Sequence, residues 1–421
     1  MNTSAVNESS TQHDPNARFG ARGYPLLPGA IGRSTFYTGT PMPYAVRGQG
    51  CLVWDDRGRE LIDANNNFTT LIHGNAHPAL VEAGQRALAD GACFGIPNEH
   101  EWELAEALLS RLPALDQVRF TNSGTEAVMS AFRVARAITG RDGLVMALGG
   151  YHGTSEPALC AGGQAYLRGV PIGVIDDVTT LPVNDVEGLR ASVERDPTKY
   201  AAIIIDLLPN RAGMIPVNLE FVREARRLAT AYGIVLIIDE VISLRLGPHG
   251  YAAEYGVTPD LLTAGKIIGG GLPIGAILGT EEFMRCLDPA QPGSLPHSGT
   301  FSGNPVSMAA GAAALKLFTP DEVARLNELG AHARQTVADR IEPYGWEVRG
   351  AGSLLRPAPQ GVAQVDATTQ RKLWWQCYER DLLLAPGNLT SLSTPMTSLV
   401  VDDLVERLAD AVIATAATIH A

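Results

Sequence analysis

The chain has 421 residues, 45% of them hydrophobic and 19% charged, with a formal net charge of −12. That length allows more than one structural unit around a large core, and the acidic balance gives a nucleic-acid role no electrostatic support. Five scattered cysteines without a CxxC pair argue against a disulfide framework or a zinc site and fit a reducing cytoplasm, while neither a secretory signal nor a membrane span is expected.

Residues 1–17, rich in Ser, Thr, Asn and Asp, read as disordered. From 44 to 61, short runs broken by Gly-Gln-Gly and Asp-Asp-Arg-Gly read as antiparallel strands and turns. Between about 78 and 309, helical patterns alternate with apolar strands at 118–120, 144–148, 202–205, 233–238 and 261–264. Such alternation indicates a mainly parallel sheet covered on both faces, with ligands bound beyond the carboxyl ends of its strands. Helical patterns return over 309–317 and 321–341, short strands follow near 346–355 and 382–384, and a last helix covers 401–418. The tail is expected to pack with the N-terminal strands. Residues 18–77 and 310–421 would then form a small domain beside a large domain of 78–309.

Lys266 follows the apolar run 261–264 and precedes Gly269, Gly270 and Gly271, and the apolar strand 233–238 ends in Asp239-Glu240. Buried charges are costly unless they meet partners. Pyridoxal phosphate (PLP) needs both a lysine for its Schiff base and an acid at its ring nitrogen, so it accounts for the two together. Read alone, Asp239 also suits a salt-bridged strand end, with Arg245 as a partner for it or for Glu240. Lys266 would serve as the base that moves the proton, which requires its pKa to be depressed by burial.

Other segments supply compatible parts. Phe120 to Ala127 place a strand end, a glycine turn and a helix start in succession, and a helix N-terminus binds phosphate. Taken alone, Ser123 and Thr125 read as ordinary helix caps. Gly149-Gly150-Tyr151-His152-Gly153 puts an aromatic ring at a strand end, where it can stack on a flat ligand or simply pack. The loop from His297 to Pro305 is glycine-rich and enters a small-residue helix; Thr300 is its candidate phosphate donor.

In order, these segments resemble the class III aminotransferases, the ornithine aminotransferase-like group of PLP enzymes, over roughly 27 to the end. Asn122 to Ala127 and Gly299 to Pro305 are similar to glutamate-1-semialdehyde aminomutases. Asp239-Glu240-Val241, Ser243 to Leu246 and Pro248-His249-Gly250 look closer to bacterial β-phenylalanine aminotransferases. The resemblance implies an α/β fold of PLP fold type I: a mainly parallel seven-stranded sheet between helices, plus a smaller α+β domain. It implies Ser123, Gly124 and Thr125 at the phosphate and Thr300 reaching it from the other subunit of a homodimer with shared active sites. Tyr151 and Val241 would lie on the two ring faces, with His152 and Asp206 also at the cofactor, Asp239 at the ring nitrogen and Lys266 as the Schiff base. A cytoplasmic enzyme taking an amino donor and a keto acid acceptor is the expectation, with no metal.

Arg33, in Leu27 to Ser34, matches a segment that in the β-amino-acid enzymes supplies a carboxylate-binding arginine; the bland alternative is a solvated loop arginine. Two departures stand out. Ala385-Pro386-Gly387-Asn388 lacks the second arginine those enzymes carry after the proline, and Asp206-Leu207-Leu208-Pro209-Asn210-Arg211 replaces the usual Glu-Pro. The second change would bring Asn210 or Arg211 toward substrate. Amino transfer from an amino acid with its amine off the α position is the leading reading. Alternatives are an aminomutase or epimerase acting within one substrate and, more distantly, a non-catalytic PLP-fold protein.

Overall fold

A computed structural model describes residues 26–39 and 42–419; the segment 1–17, read as disordered, lies outside the described residues. The chain begins with three short antiparallel strands, β1 (Ala45–Gln49), β2 (Leu52–Asp55) and β3 (Glu60–Asp63), followed by helices α1 (Pro78–Asp90) and α2 (Glu99–Arg111). Next comes an alternating series. It runs β4 (Gln117–Thr121), α3 (Gly124–Thr139), β5 (Gly143–Ala147), β6 (Val178–Leu181), α4 (Val186–Arg195), β7 (Tyr200–Asp206), α5 (Leu219–Tyr232), β8 (Val235–Asp239), β9 (Leu261–Gly265) and β10 (Gly275–Gly279).

These strands form one seven-stranded sheet in the order β4-β10-β9-β8-β7-β5-β6. Only β10 runs against its neighbours; β9, β8, β7, β5 and β6 are parallel. Alternation along each strand assigns its side chains to one of two cores. Ala202 and Ile204 of β7, with Val235 and Ile237 of β8, pack under Val128, Ala131 and Phe132 of α3. Ile203, Ile205, Leu236 and Ile238 face the opposite way, against Leu189 of α4 and Phe221, Val222 and Leu228 of α5. Continued by one step, the pattern sends Asp206 and Asp239 to the α3 side. Both carboxylates therefore share a face with the N-terminus of α3.

After β10, α6 (Pro305–Leu317) starts where the glycine-rich loop was expected to enter a helix: Pro305 suits a first helical turn, and Asn304 caps it by accepting from the Val306 and Ser307 N–H groups. Its small face lies against the turn carrying Lys266. A Cβ on Gly311 would fall 2.1 Å from the Ile268 carbonyl oxygen, and one on Gly270 2.6 Å from that of Ala310.

The remaining elements are α7 (Pro320–Ile341), β11 (Trp346–Arg349), β12 (Leu354–Pro359), α8 (Ala367–Tyr378), β13 (Leu382–Leu383), β14 (Thr390–Ser391) and α9 (Ser398–Ile419). Strand β13 joins β3 in parallel, making a four-stranded sheet of order β1-β2-β3-β13 from both ends of the chain. Arg59 reinforces that seam with a 2.6 Å ion pair to Asp381, and the Tyr378 hydroxyl donates to Asp55. No helix of the described residues is long and apolar enough to cross a membrane.

Candidate active site

A cavity of about 730 Å³ opens at the carboxyl ends of β7, β8 and β9, where a parallel sheet offers its ligand crevice. Asp206 and Asp239 line it as register partners on neighbouring strands. Asp239 is buried and fully engaged. Its Oδ1 accepts from the Thr263 hydroxyl at 3.0 Å and the Val241 N–H at 3.1 Å, and its Oδ2 lies 2.7 Å from His152 Nδ1. The other ring nitrogen of His152 is buried without a partner. Burial, and then the neighbouring Asp239 charge, push Asp206 up to about 6.

Lys266 lines the same cavity. Burial lowers it to about 8, against the opposing pull of Asp239 and Asp206. Its backbone sits in the left-handed region at φ 52, rare for a residue with a side chain. Helix α6 packs closely behind the Lys266 turn.

The N-terminus of α3 points into the cavity. Ser123 caps it through an Oγ that accepts from the Glu126 N–H, and Glu126 returns a carboxylate oxygen to the Asn122 N–H. The Gly124 and Thr125 N–H groups thereby stay free of intrahelical partners. Two glycines let the walls close in. A Cβ on Gly275 would fall 2.0 Å from the Ser123 carbonyl oxygen; one on Gly153, at φ 94, would fall 2.5 Å from Thr125 Oγ1. Val241 packs over the same turn, with both γ carbons 3.0 Å from where a Gly124 Cβ would be.

Tyr151 and His152 border the cavity, as do Arg33 and Asn210. Arg33 is held by neutral groups: its Nη2 donates to Asn67 Oδ1 at 2.8 Å, and its guanidinium lies 4.0 Å from the Phe36 ring centroid and 5.5 Å from that of Phe68. Burial lowers its pKa. Asn67 and Phe68 belong to a run that nothing in the sequence signalled, Asn66 to Thr69, whose φ values of 48, 47, 56 and 73 form a left-handed turn without glycine. Asp63 anchors it by accepting from the Asn65 and Asn66 N–H groups, and Asn66 Nδ2 donates to the Ser391 carbonyl.

Arg356, on β12, is a cavity residue that sequence reasoning did not single out. It lines the cavity and donates to the Asn210 carbonyl at 2.6 Å. Its pKa falls to about 10 by burial and the nearby Arg349 charge. Only its place in an apolar strand, Leu354-Leu355-Arg356, hints at an interior charge.

Two residues lie outside this cavity, and only Arg245 departs from its expected partners. Thr300 does not line the cavity of its own chain; it sits on an exposed loop beside Cys93. Arg245 does not serve Asp239 or Glu240. It is fully buried and donates to the Ser353 hydroxyl at 3.1 Å and to the Leu392 carbonyl, because the turn after β8 aims it at the C-terminal strands. Glu240 is satisfied instead by the Ala252 N–H at 2.7 Å and the Tyr251 N–H at 2.8 Å.

The comparisons with known proteins agree with this geometry. The family model "Aminotransferase class-III" matches residues 37–370. The chain belongs to the class III aminotransferases. It is 35% identical to the β-phenylalanine transaminase of Variovorax paradoxus over 95% of this chain and 91% of that protein. It is 40% identical to the glutamate-1-semialdehyde 2,1-aminomutase of Desulfatibacillum aliphaticivorans over 70% of this chain and 72% of that protein. Among solved structures, an omega-transaminase from Sphaerobacter thermophilus superposes with a TM-score of 0.91 at 39% identity, over 96% of this chain and 98% of that one. Class III aminotransferases are enzymes that use PLP, and the mixed seven-stranded sheet described above is their fold.

Proposed function

We propose that this enzyme moves an amino group between an amino acid with its amine off the α position, of the β-amino-acid kind, and a keto acid. The observation that carries the reading is the convergence of Lys266, Asp239 and the free N-terminus of α3 on one cavity. The residues present fit PLP. The buried, unpartnered His152 nitrogen, the glycine-narrowed cradle at Ser123 to Thr125 and the amine–carboxylate pair are the donor and acceptor set its phosphate, ring and aldehyde require.

In this reading Ser123, Gly124 and Thr125 hold the phosphate with N–H groups and the helix dipole. Tyr151 and Val241 would bound the ring, and Asp239, oriented by His152 and Thr263, would meet the ring nitrogen. Asp206 lies beside it. When bound, PLP supplies an aldehyde that condenses with amines and a ring that accepts the electron pair released at the substrate carbon. Lys266 would hold the cofactor through its amine and, with that amine free, would take the proton from the substrate carbon that bears the amino group; an amine lowered to about 8 suits both tasks near neutrality. Arg33, held by an amide rather than a carboxylate, keeps its charge for the substrate carboxylate. Asn210 borders the same space.

A homodimer completes the proposal. Phe94, Ile96 and Phe301 are exposed apolar side chains on adjoining segments, tied by the Asn304 Nδ2 bond to the Ala92 carbonyl and the Asn98 Nδ2 bond to the Gly303 carbonyl. Exposed apolar side chains grouped in this way would suit an interface, and a second copy there would deliver Thr300 to its neighbour's cavity. The likeness to the β-phenylalanine transaminase over nearly the whole chain supports the donor class. The five unpaired cysteines suit a cytoplasmic site.

The aminomutase relatives favour a second reading, migration of the amine within one substrate. Absorbance of the PLP-loaded enzyme separates the two. Bleaching of its yellow band by a β-amino donor alone, with the band restored by a keto acid, is the expected result. A band that no donor bleaches, with one substrate turned over in the absence of any keto acid, would favour the aminomutase.

A further inference from the structure

The turn after Pro386, where a second arginine was expected, carries Asn388; that residue is buried, has φ 66 and is absent from the cavity lining. The rebuilt segment after β7 brings a different arginine to the cavity, Arg211. Its guanidinium carbon lies 4.0 Å from the Tyr151 ring centroid and 5.3 Å from that of Tyr166. Stacking of this kind engages the flat face of a guanidinium and leaves its N–H edge for an anion.

The turn that carries Arg211 is pinned by backbone contacts. The Gly213 N–H donates to the Asn210 carbonyl at 3.2 Å, the Met214 N–H to the Pro209 carbonyl at 3.0 Å, and Arg356 clamps the Asn210 carbonyl from β12. Gly213, at φ 99, passes so close to Ala363 that a Cβ would fall 2.4 Å from its carbonyl oxygen. All three cavity arginines rest on neutral groups: Arg33 on the Asn67 amide, Arg356 on a carbonyl and Arg211 on two phenol rings. The carboxylates of the cavity, Asp206 and Asp239, sit instead at the strand ends beside Lys266. A wall of this composition lacks anions, and a bidentate carboxylate is the natural complement of a free arginine fork.

We propose that Arg211 is the second anion-binding residue of this cavity, replacing the arginine absent after Pro386, and that it binds the distal carboxylate of a dicarboxylate substrate whose other carboxylate meets Arg33. In naming a substrate the proposal rests on the amino-transfer reading; in naming an anion site it does not. The two departures from the family pattern thereby become one change, a carboxylate receptor moved from the turn after Pro386 to the turn after β7.

Glutarate and butyrate test this, because neither has an amine or carbonyl to exchange. Each is titrated calorimetrically into the PLP-loaded protein. The wild type is expected to bind glutarate more tightly than butyrate, Arg211→Gln to weaken glutarate roughly ten- to a hundredfold with butyrate little changed, and Arg33→Gln to weaken both. Equal affinity of the wild type for the two acids, or glutarate binding unchanged in Arg211→Gln, would overturn the proposal. If Arg211→Gln does not fold, Arg211→Lys carries the test: it keeps the charge and loses the fork, and wild-type affinity for glutarate in it overturns the proposal equally. Failure of amino transfer itself shows only in the spectral experiment and leaves the glutarate result standing.

Discussion

Asp206 and Asp239 face one another in register across β7 and β8, two carboxylates at the floor of one cavity. Asp206 ionises near pH 4 when unfolded and at about 6 when folded. The native state therefore holds the extra proton between those values, and this group's contribution falls as pH rises through the window. Asp206→Asn removes that penalty. Denaturation of the cofactor-free protein should show variant and wild type differing little in the pH-dependent part near pH 4, and the variant more stable by about 1–3 kcal/mol near pH 7. A pH-independent difference would refute the assignment.

Lys266 carries the opposite sign. Its folded pKa of about 8 lies below the usual lysine value, so the neutral amine predominates only above it. At pH 7 roughly a tenth of the molecules hold the reactive form. Capture of PLP by the cofactor-free protein, followed at the yellow band, should accelerate with pH and reach half its maximum near 8. Lys266→Ala should show no such band and no amino transfer. Turnover surviving in that variant would remove the lysine from the mechanism.

Gly275 and Gly124 both sit at the N-terminus of α3, but their surroundings differ. A methyl on Gly275 meets backbone, the Ser123 carbonyl, whereas one on Gly124 meets the γ carbons of Val241 at a distance a side chain can relieve. Gly275→Ala is expected to cost about 2–4 kcal/mol of stability and most of the affinity for PLP, and Gly124→Ala under about 1 kcal/mol. Equal effects in thermal melts would show that the cradle is not built on this contact.

Thr69 is β-branched, buried and at φ 73, with a hydroxyl that finds no partner. Thr69→Gly relieves both the backbone strain and the orphaned oxygen at the expense of a small void. The net expectation is a gain of about 1 kcal/mol, read in urea denaturation. A loss of stability would show that packing outweighs strain there.

Phe301 lies 61% exposed one residue from Thr300. Phe301→Glu places a charge on the proposed interface. Sedimentation should shift from dimer to monomer, with activity falling at least tenfold because Thr300 no longer reaches a neighbouring cavity. A wild type that sediments as a monomer with full activity would overturn the shared-site reading.

The parallel strands were legible because each is a short apolar run ending at a turn. Lys266 and Asp239 were legible because a charge closing such a run sits at a buried strand end, where only a partner or a ligand offsets its burial. Strand β10, Gly275–Gly279, was not legible: its glycines, required where β4 and β9 crowd it, look like loop residues. Strand β6, with its two threonines and only partial burial, lacks the apolar signature. The left-handed turn at Asn66 to Thr69 has no glycine to announce it; Asp63, the Asn65 side chain and Ser391, the last distant in sequence, hold it. Asp239 and Glu240 are the carboxylates nearest Arg245 along the chain, whereas the fold delivers Ser353 and Leu392 to it. Arg356 and the stack of Arg211 on Tyr151 depend on strands that meet only in three dimensions.

The seam between β3 and β13 also bears on how the molecule is made. Arg59 and Asp381 are 322 residues apart in the chain, and a ribosome adding about 5–20 residues per second needs on the order of half a minute to cover that interval. For all of that time β3 is an open edge awaiting a partner not yet synthesised. The nascent chain can complete the seven-stranded sheet first and closes the smaller one only as translation ends, so the half-built protein carries an unpaired strand edge through most of its synthesis.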